Sequence, residues 1–461
     1  MRRVILATLG IFSILIWSPP LHADLLEDVL NQRGICRDKT SLFAVWADTG
    51  KSVAAYQESL PLVPASSAKL ITTYCALKEL GPDYQFETKF FTEAPPQNGT
   101  IQNLWVRGEG DPSMVSERME EMIQAFQRLG LKKITGNIYI DDTFFESGDY
   151  PGRQEKNSRP YNALTSATPF NFNTVAVQIS MEGKKPAVAS IPDIPYIQLI
   201  NKVKRGRRRS RISLKNQLSP DVEKIVVSGS FAGRGPLTLY QTIKQPAKFF
   251  GHTLAKGLQD GGVDFKGKVE VMPVKPMYLL TKHMSKPLSD IVQDINKHSN
   301  NFMAEQLTKH LGAKKLGVPG STEKGVEVLK GCLTQMGVKT DQIYLENGSG
   351  LSYDDKISAK NLVQVLLAGY HNENLRSHFI ASLSVHGVDG TMKGRHFERD
   401  LDGVLFAKTG SLNRISALAG FIPSADGKVI AFAIFMNDLK QGLSQSQKLQ
   451  DALVLEWSLL K

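Results

Sequence analysis

Apolar and polar residues form two short runs near the start of the chain and then change to helical spacing. Residues 41–46 and 52–56 flank an Asp-Thr-Gly-Lys segment, a pattern that predicts a β-hairpin around a glycine-containing turn. Apolar residues between 70 and 77 then recur at helical spacing, and Gly81-Pro82 ends the pattern. We therefore expect Ser66 to lie at the start of a helix, directly after a loop.

The middle of the chain, from about residue 86 to 275, has mostly the pattern of strands and turns. Alternating runs predict strands near 104–106, 137–141, 175–179 and 224–227, with one helix over 245–261. The Gly-Glu-Gly-Asp-Pro segment at 108–112 is typical of a turn, since its two acids would repel a phosphate. This block is interpreted as an insertion built on its own cores.

Helical patterns return after about residue 277, and strong strands follow them. We expect helices over 288–298, 302–311 and 362–369, strands over 404–408, 415–422 and 429–436, and an amphipathic helix over 444–460. Both ends of the chain thus have α/β character and the middle does not. The pattern favours one α/β domain assembled from both ends and interrupted by the insertion.

The first 23 residues have the three-part pattern of a secretory signal. Arg2 and Arg3 precede an apolar run over 4–17, and a small residue, Ala23, stands at the expected cleavage point. A membrane anchor is the alternative, but a bilayer span needs about 20 apolar residues. We expect residues 1–23 to be removed and the mature protein to be periplasmic.

Charge is concentrated in one segment of an otherwise ordinary globular composition. The 461 residues are 41% hydrophobic and 22% charged, and the length favours two or three domains. The formal net charge is +11, and eight cations with no intervening acid lie between Lys202 and Lys215. This basic segment, 202–215, is either a solvated loop or a surface for peripheral contact with an anionic envelope surface. Export and the scarcity of aromatic residues argue against nucleic acid.

Three cysteines leave at least one without an internal partner. Cys75 falls in a predicted helix, where a small core residue is the simpler interpretation, while Cys36 and Cys332 could pair. No CxxC pair and no clustered His/Cys spacing is present, so neither a metal site nor a cofactor is expected.

Three short motifs carry the candidate chemistry. They are Ser66-x-x-Lys69, Ser299-x-Asn301 and Lys408-Thr409-Gly410. Each occurs by chance in many chains, but here they stand in a fixed order at a helix start, in a loop between helices and at the end of a strand. That combination is typical of penicillin-binding proteins and class A β-lactamases.

The residue types fit acyl transfer to a serine. A serine hydroxyl needs a nearby base, and Lys69 shares a helix face with Ser66. A lysine acts as a base only when its pKa falls, which burial beside a second cation such as Lys408 achieves. Ser299 can relay a proton to the leaving group, and Asn301 can hold the lysine and the substrate amide.

Two further functions are expected around the strand motif. The backbone N–H groups of Ser66 and Ser411 are candidates for stabilising the oxyanion. Lys408, Thr409 and Ser411, together with Gly410 of the same motif, would hold and contact a substrate carboxylate.

The chain resembles the D-alanyl-D-alanine carboxypeptidases/endopeptidases of the S13 peptidase family, the class C low-molecular-mass penicillin-binding proteins of the penicillin-binding protein 4 type. The resemblance covers nearly the whole mature chain. Besides the three motifs and the long insertion it rests on five segments: 108–112, 348–352 (Gly-Ser-Gly-Leu-Ser), 387–391 (Gly-Val-Asp-Gly-Thr), 408–412 (Lys-Thr-Gly-Ser-Leu) and 418–422.

The resemblance implies an α/β fold, with a transpeptidase/β-lactamase-like domain in which helices flank an antiparallel sheet, and two inserted mainly-β domains. The catalytic domain would comprise 24–88 and 277–461, inserted domain II 89–170 and 240–276, and inserted domain III 171–239.

The resemblance also implies cleavage of D-Ala-D-Ala termini and D-Ala-to-diaminopimelate cross-links of peptidoglycan through an acyl-enzyme on Ser66, with β-lactams as covalent inhibitors. The oligomeric state is left open.

Two positions depart from the familiar enterobacterial-type members of the family. Tyr353 stands where those members have arginine, and Asn413 where they have glutamine, in the subsite that grips diaminopimelate. Asp141 and Phe145 match the aspartate and phenylalanine that the second domain contributes to it. A shifted or relaxed preference at the penultimate residue is therefore expected.

Two other functions remain open on the sequence. A serine β-lactamase is one, although the insertion and the absence of an obvious Glu-x-x-x-Asn deacylation motif argue against it. A non-catalytic scaffold that binds peptidoglycan is the other. The intact set of motif residues argues against an inactive site.

Overall fold

The structure, a computed structural model, describes residues 21–146, 150–153, 158–219, 221–275, 277–395, 401–440 and 442–461. The predicted signal peptide lies outside these ranges except for its last three residues, which belong to the first helix, Leu21–Asn31. Within the described ranges no helix combines the length and the apolar character that crossing a membrane requires.

Helices and short strands follow one another along the described chain. The helices are α1 Leu21–Asn31, α2 Lys69–Leu80, α3 Ser116–Arg128, α4 Pro246–Asp260, α5 Leu288–His298, α6 Asn301–Leu316, α7 Thr322–Gln335, α8 Ala359–His371, α9 Arg376–Ala381 and α10 Leu443–Ser458. The strands are β1 Thr40–Trp46, β2 Ser52–Tyr56, β3 Glu87–Thr92, β4 Thr100–Ile101, β5 Leu104–Gly108, β6 Lys133–Ile134, β7 Ile138–Asp141, β8 Thr174–Glu182, β9 Lys185–Ile191, β10 Ile197–Arg205, β11 Arg211–Leu218, β12 Glu223–Phe231, β13 Leu237–Thr242, β14 Asp264–Phe265, β15 Val269–Val271, β16 Tyr278–Met284, β17 Ser384–Val385, β18 Phe406–Leu412, β19 Ile415–Pro423 and β20 Val429–Met436.

The two ends of the chain build one six-stranded sheet in the order β17-β18-β19-β20-β1-β2. All of its pairings are antiparallel, and β1 from the amino-terminal part pairs with β20 from the carboxy-terminal part. Alternate residues of β20 pack on α2, α5, α6 and α8 on one face and on α10 on the other. The expected α/β domain, an antiparallel sheet flanked by helices and assembled from both ends, is confirmed.

In the described part of the insertion there are four smaller sheets and one large hydrophobic cluster. The sheets are β15-β7-β5-β3-β16, β14-β6-β4, β13-β8-β9 and β10-β12-β11. Their buried side chains, from Phe90 to Phe265, form a cluster distinct from those on the two faces of the six-stranded sheet. The division of the insertion at residues 171 and 239 stays a prediction. Strand β16, which sequence analysis assigned to the catalytic domain, pairs with β3 in the five-stranded sheet.

Most of the strongly patterned elements were predicted within two or three residues. The hairpin β1–β2 and helices α5, α8 and α10 lie where the periodicity placed them. Helix α3 was missed in a region interpreted as strands and turns, although Met119, Met122, Ile123 and Phe126 carry a helical spacing.

The cysteine pairing suggested by the sequence is wrong. Cys75 forms a disulfide with Cys332, and Cys36 is free and partly exposed. The bond ties α2, the helix that begins at Lys69, to α7 across 257 residues of chain. Sequence analysis missed it because a buried position on a helix fits both a core thiol and a bridge.

Candidate active site

Ser66 lies in a single 3₁₀ turn, Ala65–Ala68, that leads directly into α2. The residue before it, Ala65, has φ +49°, a left-handed conformation that costs a residue with a Cβ about 1–2 kcal/mol. Lys69 is the first residue of the α-helix and its Nζ donates a hydrogen bond to Ser66 Oγ at 2.9 Å. The strained turn therefore presents the serine hydroxyl to the lysine one turn away.

The Lys69 amine is fully buried and held by three oxygens. Besides Ser66 Oγ, it donates to Asn301 Oδ1 at 2.6 Å and to the Ser349 carbonyl at 2.6 Å. Burial lowers its pKa to about 7, while the buried carboxyl groups of Glu305 and Asp355 oppose that shift. An amine with this pKa is substantially unprotonated near neutrality and can accept a proton from Ser66.

The three residues of the Ser-Asn-Asn segment, 299–301, have different structural roles. Ser299 ends α5 in a left-handed conformation, φ +53°, a position that glycine usually occupies. Asn300 caps α6 by accepting a hydrogen bond from the Met303 N–H at 3.1 Å. Asn301 opens α6 and reaches Lys69. The sharp connection between the two helices thus aims Ser299 and Asn301 into the same site.

Lys408 lies in the middle of β18, not at the end of a strand as the sequence suggested, because the pairing with β19 continues as far as Leu412 and Ile415. Its amine is fully buried and donates to Ser299 Oγ and to the Thr409 carbonyl, each at 2.9 Å. Burial and the neighbouring Lys69 charge both lower the pKa of Lys408. The second lysine therefore lies beside the first, linked to it through residues 299–301 (the serine loop), but burial and not the charge of Lys408 lowers the pKa of Lys69.

Two glycines allow the backbone to close around Ser66. A Cβ on Gly410 would lie 2.7 Å from the Pro64 carbonyl oxygen, so β18 approaches the turn before Ser66 too closely for any side chain. A Cβ on Gly350 would lie 2.0 Å from the Ala65 carbonyl oxygen. The glycines of the motifs are thus required by close packing against the nucleophile turn.

A cavity of about 500 Å³ opens in front of Ser66. Its lining comprises Ser66, Ser299, Thr391, Gly394, Arg395, Thr409, Ser411 and Gln447. Thr409 Oγ1 donates to Thr391 Oγ1 at 2.8 Å, so the 387–391 segment orients Thr409, the threonine expected to bind the substrate carboxylate. The sequence showed that segment as part of the family resemblance and did not indicate that Thr391 belongs to the site.

The proposed diaminopimelate subsite is only partly assembled by the structure. The Asn413 N–H donates to Tyr353 Oη at 3.2 Å, which brings these two exposed residues together beside β18. Asp141, by contrast, is buried and accepts hydrogen bonds from Thr143 and Val274 within the insertion. Phe145 is also buried, against the Gly110 backbone. The positions of Asp141 and Phe145 do not support the substrate contacts expected of them.

Glu305 is a further residue of the site that sequence analysis did not identify. It lies one helical turn after Asn301 on α6, is fully buried, and accepts the Ser349 N–H at 2.8 Å. Its position four residues from Asn301 was the available signal, since such residues share a helix face. No group of three or more potential metal ligands occurs among the described residues.

A partly exposed serine beside a buried lysine, a second lysine linked through a serine, and an antiparallel sheet flanked by helices define a transpeptidase-like serine enzyme that works through an acyl intermediate. A profile of the D-Ala-D-Ala carboxypeptidase 3 (S13) family matches residues 22–457. The chain belongs to this family of serine-type D-Ala-D-Ala carboxypeptidases, and the resemblance drawn from its motifs is confirmed.

Individual relatives agree with the family match. The chain is 32% identical over 410 residues to a D-alanyl-D-alanine carboxypeptidase of Actinomadura sp. (strain R39), covering 84% of this chain and 76% of the relative. It is similar to the crystal structure of penicillin binding protein 4 from Haemophilus influenzae, with TM-score 0.83, 25% identity and coverage of 95% and 100%. A crystal structure of that protein complexed with a novel β-lactam has the same fold, with TM-score 0.77, 24% identity and coverage of 95% and 99%.

Proposed function

We propose that Ser66 is the nucleophile and Lys69 the base of a D,D-carboxypeptidase that also cleaves D,D-cross-links. The observation that carries this proposal is the Lys69 amine, which lies within hydrogen-bond distance of Ser66 and Asn301 at a pKa of about 7. Ser67 is the neighbouring hydroxyl, but it donates to the Pro64 carbonyl and is buried.

The reaction follows from the arrangement of the donors. Ser66 Oγ attacks the carbonyl carbon of the penultimate D-Ala while Lys69 accepts its proton. The N–H groups of Ser66 and Ser411 face the developing oxyanion. As the C–N bond breaks, the proton taken from Ser66 passes on to the leaving amine, with Ser299, which Lys408 contacts, as the relay. Water then attacks the ester on Ser66, the proton that water loses goes to the Ser66 oxygen, and the shortened peptide leaves as a carboxylate.

The substrate is assigned to peptidoglycan stem peptides with a free terminal carboxylate. Thr409 and Ser411 line the cavity in front of Ser66, and the buried Lys408 lies beneath them. A D-Ala carboxylate and the D-centre carboxylate of a cross-link present the same chemistry, so one site serves both reactions. The Cys75–Cys332 disulfide supports the periplasm as the compartment, because such bonds persist in oxidising environments.

The direct test is D-Ala release from a pentapeptide and cleavage of a cross-linked dimer. Ser66→Ala is expected to abolish both, and Ser67→Ala, the same change one residue later, to retain them. Release of D-Ala by Ser66→Ala at the wild-type rate would refute the assignment. β-Lactams are expected to compete with either substrate, in keeping with the β-lactam complex of the Haemophilus influenzae protein.

Tyr353 and Asn413 are assigned to the recognition of diaminopimelate, the residue that precedes the penultimate D-Ala. Neither side chain carries a charge, so a free carboxylate on diaminopimelate gains no ion pair from them. We expect similar kcat/KM values for peptides with free and with amidated diaminopimelate. A strong preference for the free carboxylate would contradict this assignment.

The basic segment 202–215 is assigned to electrostatic docking on an anionic envelope surface. All eight of its cations are exposed on β10, on β11 and on the turn between them. Replacing Arg207, Arg208, Arg209 and Arg211 with glutamine should weaken pelleting with sacculi at low salt and reduce its salt dependence. Unchanged pelleting would leave the segment as a solvated turn.

A further inference from the structure

A second cavity begins on the other side of the serine loop from Ser66. It has a volume of about 750 Å³, within the range of ligand-binding pockets, and Ser299 lines both this cavity and the one in front of Ser66. Residues 298–302 form its end nearest the catalytic residues, and the outer face of β8, β9 and β13 forms its floor. We call this cavity the sheet groove.

The floor of the sheet groove follows from strand alternation. Val175, Val177 and Ile179 of β8 are buried in the core of the insertion, so the residues between them face the groove. Ala176 is paired with Tyr240 on one side and with Ile191 on the other, which makes one row across three strands. Tyr240 is 57% exposed and Ile191 47% exposed, so two large apolar side chains flank a small one on an open sheet surface.

The next row of the floor is polar and uncharged. Gln178 is paired with Thr238, and both line the groove. Among the described residues of the rest of the lining, one side chain is formally charged, that of Glu117, and His298 lies at the catalytic end. The Tyr240 ring lies beside the Thr238 hydroxyl and the Gln178 amide. Such a surface is suited to a ligand that carries amide and hydroxyl groups, such as a peptide bearing a sugar.

The wall between the floor and the catalytic residues is held in a strained conformation. Asn171, Phe172 and Asn173 have φ angles of +46°, +55° and +51°, and the left-handed region is unfavourable for a bulky residue such as Phe172. Phe172 packs edge-on against Phe302, the residue after Asn301, with ring centroids 6.2 Å apart. The strained turn therefore fixes the position of the sheet relative to the serine loop.

The orientation of the bound substrate indicates which part of it lies in the sheet groove. The terminal carboxylate goes to Thr409 and Ser411, which line only the cavity in front of Ser66. The amide of Asn301 points the other way, with Nδ2 3.5 Å from the Tyr161 carbonyl at the entrance of the sheet groove. Because the scissile carbonyl lies at Ser66, the part of the acyl donor that precedes it leaves past Asn301.

The geometry points to the sheet groove as the binding site for the sugar-proximal part of the acyl-donor strand, that is, the first residues of the stem peptide and the N-acetylated sugar that carries them. This inference rests on the proposed function of Ser66. Three residues precede the penultimate D-Ala in a stem peptide, and an extended tripeptide spans about 10 Å. The enzyme would then recognise its substrate at both ends, with the carboxylate at β18 and the sugar on β8 and β13.

The test compares two substrates that share the same reactive end, a disaccharide-pentapeptide and a short N-acylated dipeptide ending in D-Ala-D-Ala. Tyr240→Ala should lower kcat/KM for the disaccharide-pentapeptide about five- to tenfold and leave the short substrate unchanged. Gln178→Ala should act in the same direction. Tyr278→Ala, the same change at an exposed strand tyrosine outside the groove, serves as the matched control.

Three results would overturn the inference. They are an equal loss on both substrates, no loss on either, or a loss confined to cross-linked dimers, which would place the leaving strand in the groove. If the proposed function itself were wrong, the wild-type enzyme would release no D-Ala from the short substrate. That result differs from all three results above.

Discussion

Glu305 and Lys69 contact the same peptide segment from opposite sides. The Ser349 carbonyl accepts a hydrogen bond from Lys69 Nζ at 2.6 Å, and the Ser349 N–H donates to Glu305 Oε1 at 2.8 Å. All three residues are fully buried. Glu305 therefore positions the Lys69 amine without contacting it, because both are hydrogen-bonded to Ser349 of the 348–352 segment.

The pH dependence of acylation should reveal this arrangement. The base must be neutral, so acylation by the wild-type enzyme is expected to fall about tenfold per pH unit below the Lys69 pKa of about 7. Ionised Glu305 favours protonated Lys69 and so raises that pKa, and burial also raises the pKa of Glu305, so that this charge is itself lost as the pH falls. Glu305→Gln should move the acid limb to lower pH, measured as the acylation rate by a chromogenic β-lactam between pH 4 and about 9.

The matched control for this shift is Glu79→Gln at the far end of α2, where the carboxylate pairs with Lys315 on the surface. It should leave the acid limb in place. A Glu305→Gln profile superimposable on that of the wild type would show that Glu305 does not influence the amine.

Close packing around Ser66 predicts a contrast between two glycines. Gly350 and Gly427 both have left-handed φ angles, +73° and +83°, so alanine is strained at either position. A Cβ at Gly350 would meet the Ala65 carbonyl oxygen at 2.0 Å, whereas one at Gly427 meets nothing within 4 Å. Gly350→Ala should slow acylation by at least about tenfold, because the turn that presents Ser66 must move. Gly427→Ala should lower stability but acylate normally, and equal acylation rates in the two variants would contradict this account.

The Cys75–Cys332 disulfide should stabilise the folded protein. Reducing it should therefore lower the free energy of unfolding, as replacing both cysteines should. Cys75→Ala with Cys332→Ala should lower the free energy of unfolding by about 2–5 kcal/mol in urea titrations, and Cys36→Ala should have little effect. Peptide mapping without reduction should recover the two peptides linked. Recovery of a Cys36–Cys332 peptide would restore the pairing first suggested by the sequence.

The sequence predicted the parts of the site that local pattern encodes. Ser66 with Lys69 and Ser299 with Asn301 are short-range pairs on predicted helices, and the structure places all four together with Lys408. The contributions of Thr391 and the Ser349 carbonyl depend on long-range packing between separate elements, which periodicity does not report, whereas Glu305 had a signal in its helical spacing from Asn301. Asp141 shows the converse, since a matching residue type in a matching segment proved to be used within the insertion.

The assembly of one sheet from both ends of the chain was predictable for a similar reason. Strong strands at both ends of the chain with helices beside them indicated one sheet, and β1 does pair with β20. The pairing of β16 with β3 could not be inferred, because strand partners are chosen by register and burial and not by proximity in sequence.

The most direct measurement is the intact mass of the protein after exposure to a penicillin. The wild type and Ser67→Ala should each gain the mass of one penicillin, with the modified peptide containing Ser66, and Ser66→Ala should gain none. A mass increase that persists in Ser66→Ala would contradict the central claim that Ser66 is the acylated nucleophile.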